Sequence, residues 1–311
     1  MAKIILAGGS GFLGHALSQW FSHRNGEVVI LARTAKPSDK ISRTVVWDAK
    51  NMGEWAKELD GSDAVINLTG RSVDCRYNEK NRREITESRV DSTRVLGEAI
   101  ARCGVPPKVW LNSSTATIYK YSFDTARDEE SEIASAREAN DEFSVSVAKA
   151  WEKAFDEANT PDTRKVTLRT TMVLGERGGV FPVLRRLTRL GLGGKMGSGR
   201  QYVSWIHERD FCRAIDWLIE RKEFSGAVNM ASPQPLPNAE MMKTFREIFR
   251  APIGLPATDT MLEIGAFFLR TETELILKSR RVISKRLPEA GFTFEFPTFR
   301  GAIENLSHKL A

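Results

Sequence analysis

The feature that most limits the fold is an alternation of short apolar segments with longer helix-like segments. The apolar segments are only four to six residues long and lie at Lys3–Ala7, Glu27–Ala32, Thr44–Trp47, Ala64–Leu68, Lys108–Asn112 and Lys165–Thr170. Helix-like stretches separate most of them, at Phe12–His23, Asn78–Arg102 and Ala136–Ala158. Buried strands joined by right-handed crossover helices form parallel sheets. We therefore expect an α/β protein with helices on both faces of a parallel sheet.

A glycine-rich turn, GGSGFLG, follows the first apolar segment and opens the first helix-like stretch. Gly8 allows the tight turn, Gly11 lets the backbone approach a pyrophosphate, and Gly14 lets the helix pack on the sheet. The start of the helix adds N–H donors and partial positive charge. This context predicts a Rossmann-type doubly wound sheet that binds a dinucleotide; the alternative is a turn without a ligand. The predicted contacts are Gly8, Gly9, Ser10, Gly11, Phe12, Leu13 and Gly14.

The residue after the second apolar segment indicates which dinucleotide binds. Sites for NAD have Asp or Glu there, because a carboxylate accepts hydrogen bonds from the ribose 2′-hydroxyl. This chain has Arg33, directly after Ala32. A guanidinium pairs with a 2′-phosphate through a bidentate fork, whereas a carboxylate would repel it. We therefore predict NADP as the cofactor, unless Arg33 is only a surface residue at the end of a strand.

The character of the chain changes after residue 174. Gly191–Gly199 is rich in glycine, which suits a loop lying close to a ligand. Prolines between Pro233 and Pro237 mark a second boundary, and mainly helical sequence follows. We expect a dinucleotide-binding Rossmann domain at 1–174, completed by 206–231. A smaller, mainly helical C-terminal substrate domain would comprise 175–205 plus 232–311.

Charge patterning favours a small anionic ligand. The chain has 46 Lys and Arg against 40 Asp and Glu, so its formal charge is +6. Most basic residues alternate with acidic ones, as on a solvated helix face. The exception is Arg177–His207, with six basic residues and no acidic one. A basic cleft attracts anions, so we expect a small-molecule substrate, with nucleic-acid binding as the weaker alternative and no membrane partner.

Cysteine usage favours a reducing compartment. Cys75, Cys103 and Cys212 lie far apart and form no paired motif, which argues against disulfides and against a structural zinc site. No metal is predicted. No apolar stretch reaches the roughly 18 residues of a membrane span. The first strand-like segment also leaves no room for a targeting peptide, so we expect a cytoplasmic location.

Several motifs resemble those of the extended short-chain dehydrogenases/reductases. The glycine turn is followed by VINLTG at Val65–Gly70 and by Ser88-Arg89-Val90 with Thr93. Later motifs narrow the resemblance: Gly178-Gly179, GLGGKMGSGRQYVSWIH at Gly191–His207, Asn229, Pro233 and Gly291-Phe292. Together they resemble the atypical branch of epimerase family proteins, which are NAD-dependent epimerase/dehydratase-like and carry a C-terminal domain of unknown function. The similarity extends over almost the whole chain.

This resemblance implies cofactor contacts outside the glycine turn. They are Leu68, Thr69 and Gly70 after the fourth strand, Arg89 and Glu84 on the long helix, and Val173 at the nicotinamide end. From the residues alone, Leu68 is equally a core residue, and Arg89 and Glu84 are equally exposed helix charges. Relatives commonly dimerise through helices near 79–102 and 137–159, so the resemblance also implies a possible homodimer.

The proton-relay pair typical of this superfamily is missing. It consists of Tyr and a Lys four residues later, on one face of a helix, where the ammonium lowers the pKa of the phenol. None of the four tyrosines, Tyr77, Tyr119, Tyr121 and Tyr202, has Lys four residues later. Alignment on Trp151-Glu152 assigns the pair's positions to about Ser144 and Ala148. Lys149 is turned about 100° from the second position.

Candidate catalytic residues remain after the fifth strand. By resemblance, Thr115 occupies the position of the catalytic Ser/Thr that hydrogen-bonds a substrate oxygen. Tyr119 is the phenol closest to it, and either Tyr119 or water would handle the proton. The alternative is a strand-end turn whose hydroxyls cap the next segment. His207 precedes a helix start at Glu208, and we expect a capping or packing role rather than a ligand contact.

Two functional hypotheses follow. The first is an NADP(H)-dependent oxidoreductase or epimerase-like enzyme with an altered proton relay. Its small anionic substrate would lie between the carboxyl edge of the sheet and Arg177–His207. The second is a sensor or structural protein that binds NADP(H) without turnover. An intact glycine turn and a missing Tyr/Lys pair fit the second hypothesis well.

Overall fold

The computed structural model describes residues 2–35, 41–135, 141–258, 260–261 and 278–308. Its strands are β1 (Lys3–Ala7), β2 (Glu27–Ala32), β3 (Arg43–Val46), β4 (Ala64–Asn67), β5 (Val109–Thr115), β6 (Arg164–Thr170), β7 (Met172–Leu174), β8 (Tyr202–Val203), β9 (Trp205–His207), β10 (Gly226–Met230) and β11 (Leu236–Pro237). Seven of them form a parallel sheet in the order β10-β6-β5-β4-β1-β2-β3. The predicted parallel sheet is confirmed.

Helices cover both faces of this sheet. The helices of the described residues are α1 (Phe12–Ser22), α2 (Glu79–Ile100), α3 (Glu142–Asp156), α4 (Phe181–Arg189), α5 (Glu208–Glu220), α6 (Asn238–Ile248), α7 (Arg286–Glu289) and α8 (Phe299–His308), with 3-10 turns at Glu54–Leu59 and Ala116–Ile118. On one face, Ile4 and Leu6 of β1 share a core with α1 and α5. Ile5 and Ala7 share a core with α2 and α3 on the other face. This alternation gives the doubly wound Rossmann-type fold.

Strand order determines where a ligand can bind. The chain leaves β1 through α1 to β2 on one side, whereas β4 pairs with β1 on its other side. In such sheets the connections diverge at this point and leave a crevice beyond the carboxyl ends of the two strands. The glycine turn and the residues after β4 border this crevice.

Two regions differ in detail from the sequence predictions. Strand β5 extends to Thr115, because Ser113–Thr115 pair in register with Leu168–Thr170 of β6. Thr115 is therefore the last strand residue rather than part of the following turn. The helix predicted from Ala136 is described from Glu142, and 136–140 lie outside the described residues. The basic Arg177–His207 segment contains α4, β8 and β9 as well as loop.

A second core lies outside the main sheet. Phe181 of α4, Trp205 of β9, Phe245 of α6 and Phe299 of α8 pack together. Strand β11 pairs with β8, and the C-terminal region is helical, as predicted. No helix within the described ranges combines the length and the apolar character needed to cross a membrane.

Candidate functional site

The glycine turn between β1 and α1 is closely packed at its ends and open in the middle. Gly8 has a φ of +73°, and a β-carbon there would lie 2.8 Å from the backbone of Thr69. A β-carbon on Gly14 would overlap the backbone of Gly9. A β-carbon on Gly11 would meet no atom within 4 Å. Space beside Gly11 is what a pyrophosphate requires if it is to approach the backbone.

Helix α1 begins at this turn with N–H groups that no side chain caps. Its N-cap is Gly11, and its first turn contains no acidic residue. Uncapped N–H groups at a helix start bind anions. Ser10 is exposed, whereas Phe12 and Leu13 pack against the core. The backbone of the turn, rather than its apolar side chains, is therefore available to phosphate.

Arg33 lies beside the glycine turn at the carboxyl end of β2. The Gly8 N–H donates to Leu31 O at 2.9 Å, which fixes the end of β2 against the turn. Arg33 is exposed, and within the described ranges its guanidinium has no hydrogen bond or ion pair. No carboxylate occurs in the sequence LARTA at this strand end. This arrangement fits a 2′-phosphate better than a ribose 2′-hydroxyl.

The residues after β4 form the opposite wall of the crevice. The Leu68 N–H donates to Ala7 O at 2.8 Å, so the end of β4 stays beside β1. Thr69 Oγ1 lies 2.8 Å from the position of a β-carbon on Gly8. This buried hydroxyl has no hydrogen-bond partner among the described residues. Because buried hydroxyls are nearly always hydrogen-bonded, Thr69 fits a ligand oxygen lying on the glycine turn.

A buried polar network that the sequence analysis missed supports this wall. Asn67 Nδ2 donates to Asn112 Oδ1 at 2.7 Å. Trp151 Nε1 donates to Thr93 Oγ1 at 3.0 Å, and Thr93 donates to Asn112 Oδ1 at 3.3 Å. The network ties the end of β4 and the middle of β5 to α2 and α3. Its sequence signal is an asparagine at equivalent positions of two neighbouring strands, since Asn67 and Asn112 pair in register.

Arg89 extends from α2 to the end of this wall. Its guanidinium lies 3.0 Å from the position of a β-carbon on Gly70 and 5.1 Å from the Trp151 ring centroid. It donates to Arg71 O at 3.1 Å and to Ile85 O at 2.9 Å. No carboxylate in the described part of the chain pairs with it. Burial therefore lowers the pKa of Arg89 to about 10, and a bound anion would stabilise its charge.

The other two predicted cofactor contacts lie in different surroundings. Glu84 forms an ion pair with Arg71. Val173 is 8% exposed and pairs with Ile206 of β9. Its carbonyl oxygen lies against Gly179. Contact of either residue with a cofactor stays a prediction.

Phe12 joins the glycine turn to the loop between β7 and α4. A β-carbon on Gly175 or on Gly178 would overlap the Phe12 ring. The ring therefore fills a slot that only glycine leaves open at these two positions. Gly178 belongs to the motif that carried the family resemblance, and its packing against Phe12 gives a physical reason for glycine there.

Thr115 ends β5 at the carboxyl edge of the sheet and is partly exposed. Its Oγ1 accepts a hydrogen bond from the Thr117 N–H at 3.2 Å and donates to Thr117 Oγ1 at 3.1 Å. Thr115 thus caps the 3-10 turn Ala116–Ile118, which was the alternative to a catalytic role. A hydroxyl oxygen has two lone pairs, so one remains for a substrate hydroxyl.

Tyr119 lies in the interior and is 2% exposed. Its hydroxyl donates to Asn229 Oδ1 at 2.8 Å and accepts from Arg169 Nη1 at 2.8 Å. Arg169 in turn forms a bidentate pair with Glu152, at 2.9 and 2.8 Å. Burial raises the pKa of Tyr119 to about 12. These contacts give Tyr119 a structural role and favour water over Tyr119, the two alternatives for handling the proton.

Helix α3 presents no relay lysine. Ala148, at the position expected for the lysine, is fully buried, whereas Lys149 is exposed. His207 has the structural role that was predicted. Its Nδ1 accepts from the Arg209 N–H at 3.0 Å and so caps α5, and its ring stacks on Phe296 at 4.0 Å.

The basic Arg177–His207 segment is spread over α4 and the loops that follow it. Arg185 lies 6.0 Å from the Phe181 ring centroid, and Arg189 lies 5.4 Å from that of Phe249. Arg200 lies 6.0 Å from the ring centroid of Phe123, in the loop after Tyr119. Arg200 therefore connects the basic segment to the loops that follow β5.

Comparison with known proteins shows similarity along the whole chain. The NAD dependent epimerase/dehydratase family matches residues 4–231, and a domain of unknown function, DUF1731, matches residues 259–306. The epimerase family protein SDR39U1 of Homo sapiens is 32% identical, over 98% of this chain and 99% of its own length. The epimerase family protein YfhF of Bacillus subtilis is 29% identical, over 98% and 97%. The crystal structure of human SDR39U1 (isoform 2) with NADPH aligns with a TM-score of 0.86 at 29% identity, covering 98% of this chain and 99% of that one.

Proposed function

The chain belongs to the NAD-dependent epimerase/dehydratase family, and from this premise we propose that it is an NADP(H)-binding oxidoreductase or epimerase-like protein acting on a small anionic substrate. The observation that carries the choice of cofactor is Arg33, an exposed guanidinium beside the glycine turn, at the position where NAD sites have a carboxylate. The NADPH in the crystal structure of human SDR39U1 supports the same choice.

Four groups of this chain fit such a cofactor. The open backbone at Gly11 and the uncapped start of α1 suit its pyrophosphate. Arg33 suits its 2′-phosphate. Thr69 Oγ1 has no hydrogen-bond partner in the described residues and suits a phosphate or ribose oxygen. Arg89, a partly buried cation that pairs with no carboxylate among the described residues, suits a negative charge near Gly70.

The chemistry divides between cofactor and protein. When bound, a nicotinamide supplies the carbon that donates or accepts hydride. Thr115 would hold a substrate hydroxyl at the carboxyl edge of the sheet, because that hydroxyl can donate a hydrogen bond to the remaining lone pair of Thr115 Oγ1. Tyr119 stays protonated and buried near neutral pH, so solvent water is the better candidate for the proton transfer.

The substrate is proposed to be anionic because of the charge around the site. Arg177–His207 contains no acidic residue. Arg200 brings this segment next to the loop after Tyr119. A carboxylate or phosphate on the substrate would bind there through a guanidinium. A hydroxy or oxo compound with one such group is the corresponding substrate class.

A second candidate function is that of an NADP(H)-binding sensor without turnover. This function is favoured by the residues at the two positions where a proton relay would be expected, because neither residue can act as one. Ala148 is buried in place of the lysine, and the Tyr119 hydroxyl is bonded to Asn229 and Arg169 in the interior. A protein with these features can hold the cofactor and still lack an acid that reaches a substrate.

The experiment is a calorimetric titration of the purified protein with NADPH and with NADH at fixed ionic strength. We expect NADPH to bind at least about tenfold more tightly, because one charge-assisted contact to the 2′-phosphate contributes about 1.5–3 kcal/mol. Arg33→Asp should remove most of this preference. Arg102→Asp, an exposed arginine after α2, is the matched control and should keep it. Equal binding of the two nucleotides, or binding of neither, would contradict the proposal.

A substrate screen then separates the enzyme from the sensor. Hydroxy and oxo compounds with a carboxylate or phosphate would be mixed with the NADP⁺- or NADPH-loaded protein while nicotinamide absorbance is followed. Turnover that Thr115→Ala reduces supports the enzyme. Tight NADPH binding with no absorbance change across the panel supports the sensor.

A further inference from the structure

Lys278 is the one lysine that is buried within the described ranges. It lies in the C-terminal region matched by the domain of unknown function. Its ammonium pairs with the carboxylate of Asp141, and the two side chains are 1% and 0% exposed. The ammonium also donates a hydrogen bond to Thr117 O at 2.9 Å. A C-terminal lysine thus reaches the turn that follows β5.

Thr117 connects this lysine to the candidate catalytic hydroxyl. The N–H and the hydroxyl of Thr117 both contact Thr115 Oγ1, at 3.2 and 3.1 Å. The carbonyl oxygen of the same residue is held by Lys278. Asp141, the ion-pair partner, directly precedes α3. One series of contacts therefore runs from the first residue before α3, through the C-terminal region, to Thr115.

Hydrogen bonds hold the segment that directly follows Lys278, which gives the ammonium a defined position. Ser279 Oγ accepts from the Tyr202 N–H at 3.0 Å and donates to Ser122 O at 2.7 Å. Farther along, the Arg127 N–H donates to Arg281 O at 2.7 Å, and the Ile283 N–H donates to Arg127 O at 2.9 Å. These bonds hold the segment between β8 and the loop that follows Tyr119.

Stability alone does not explain a buried ion pair. Removing two charges from water is costly, and apolar replacements of similar volume are often equally stable or more stable. A lysine and an aspartate at this depth are better explained by the fixed geometry that they impose. Here the pair fixes the geometry of the Thr115–Thr117 turn, because the ammonium donates directly to Thr117 O.

We propose that the Lys278–Asp141 pair positions the Thr115 hydroxyl, and that supplying this lysine is a function of the C-terminal domain. The proposal rests on the proposed function, in which Thr115 holds a substrate oxygen. Helix α3 offers no lysine toward this edge, because Ala148 is buried and Lys149 is exposed. Lys278 reaches the same side of the sheet from the C-terminal region and acts through Thr117, without contacting the substrate.

The test uses the full-length chain with ¹³C-labelled threonine methyl groups. The Thr115 and Thr117 methyl signals, assigned by Thr115→Ser and Thr117→Ser, are compared among wild type, Lys278→Met, Lys278→Arg and Asp141→Asn/Lys278→Met. The double variant keeps the site free of unpaired buried charge, so it is the one expected to fold best. Lys285→Met is the control, because Lys285 lies in the same segment and pairs at the surface with Glu130. Unfolding temperatures and NADPH titrations are measured on the same samples.

We expect the double variant to unfold near the wild-type temperature while its Thr115 and Thr117 signals shift and the Thr117 amide exchanges at least about tenfold faster. Lys278→Arg should restore the signals in part, and Lys285→Met should leave them unchanged. The proposal is overturned if the double variant keeps wild-type signals and exchange, whether or not Lys278→Met folds. These comparisons hold without ligand, so failure of NADPH to bind the wild type would count against the proposed function alone.

Discussion

The hydroxyl of Tyr119 donates a hydrogen bond to Asn229 Oδ1 at 2.8 Å in the interior of the protein. This contact joins the turn after β5 to β10 at the edge of the sheet. Arg169 of β6 donates to the same hydroxyl from the strand between them. A phenol close to the candidate catalytic threonine is therefore used to connect three neighbouring segments. Removing this hydroxyl should therefore change the stability of the protein rather than its turnover.

Replacing Tyr119 with Phe should destabilise the protein and leave cofactor binding nearly unchanged. The substitution removes the hydroxyl and leaves Asn229 and Arg169 with fewer partners. Loss of buried hydrogen bonds, one of them to a charged group, costs about 1–3 kcal/mol. Denaturant unfolding would give this difference, with Tyr121→Phe as the control. A normal unfolding free energy combined with lost turnover would instead return Tyr119 to the proton-donor role.

Tyr119 should also make stability fall in alkaline solution. Burial is the main cause that raises its pKa from the usual 10 to about 12. Above pH 10 the unfolded chain releases the phenol proton, whereas the folded chain keeps it until about pH 12. The free energy of unfolding should therefore decrease across this window, by up to about 2–3 kcal/mol. Wild type should lose stability more steeply than Tyr119→Phe between pH 9 and 11.5, and parallel curves would contradict the assignment.

The cofactor half of the site could be predicted because its signals are local. Gly8–Gly14 is contiguous, directly follows β1 and includes the start of α1, and Arg33 directly follows β2. Short apolar segments likewise gave the strand positions, since burial between two helical layers requires such segments. The sequence therefore predicts the sheet, the turn and the charge beside it.

The opposite half depends on contacts between distant segments. The Tyr119 hydroxyl is bonded to residues 110 and 50 positions away, and the lysine on Thr117 O comes from 161 positions away. No pattern within a window of sequence encodes such pairings. Tyr119 was therefore predicted to face the substrate only because it lies close to Thr115 in sequence, although the chain folds it into the interior.

Removing the Arg89 charge should weaken NADPH binding without destabilising the ligand-free protein. The guanidinium is partly buried with no carboxylate partner in the described residues, and its pKa is lowered to about 10. A buried unpaired charge is unfavourable, so Arg89→Met should unfold within about 3 °C of wild type or above it. NADPH affinity should fall about tenfold or more. Thermal unfolding with and without NADPH measures both effects.

Arg83→Met is the matched control for this experiment. Arg83 is exposed on the same helix, and its Nε lies 4.0 Å from Glu87 Oε1. Its loss should change neither the unfolding temperature nor the NADPH affinity by much. If Arg89→Met keeps full NADPH affinity, Arg89 serves only to pack against Trp151 and Gly70. A large loss of stability without ligand would show that its bonds to Arg71 O and Ile85 O outweigh the burial of its charge.

Substitutions at Phe12 and at Gly178 should have coupled effects on the free energy of unfolding, although the two positions are far apart in sequence. A β-carbon on Gly178 overlaps the Phe12 ring, so Gly178→Ala should cost about 1–3 kcal/mol and shift the start of α1. Phe12→Leu makes room for the added methyl group. The double variant should therefore be destabilised by less than the sum of the two single changes. Denaturant unfolding of all four proteins tests this, and simple additivity would contradict the direct contact.

Gly11 offers a test in which the ligand-free and the bound protein should respond in opposite ways. Its φ is −89°, and a β-carbon would meet no atom within 4 Å. Gly11→Ala should therefore leave the unfolding temperature unchanged or slightly raised, because alanine restricts the unfolded chain. The same methyl group would occupy the space that a pyrophosphate needs, so NADPH affinity should fall at least about tenfold. Gly104→Ala, at an exposed glycine far along the chain, should change neither. If Gly11→Ala binds NADPH as wild type does, the nucleotide does not pass over this turn, and the space beside Gly11 would have to be explained without a ligand.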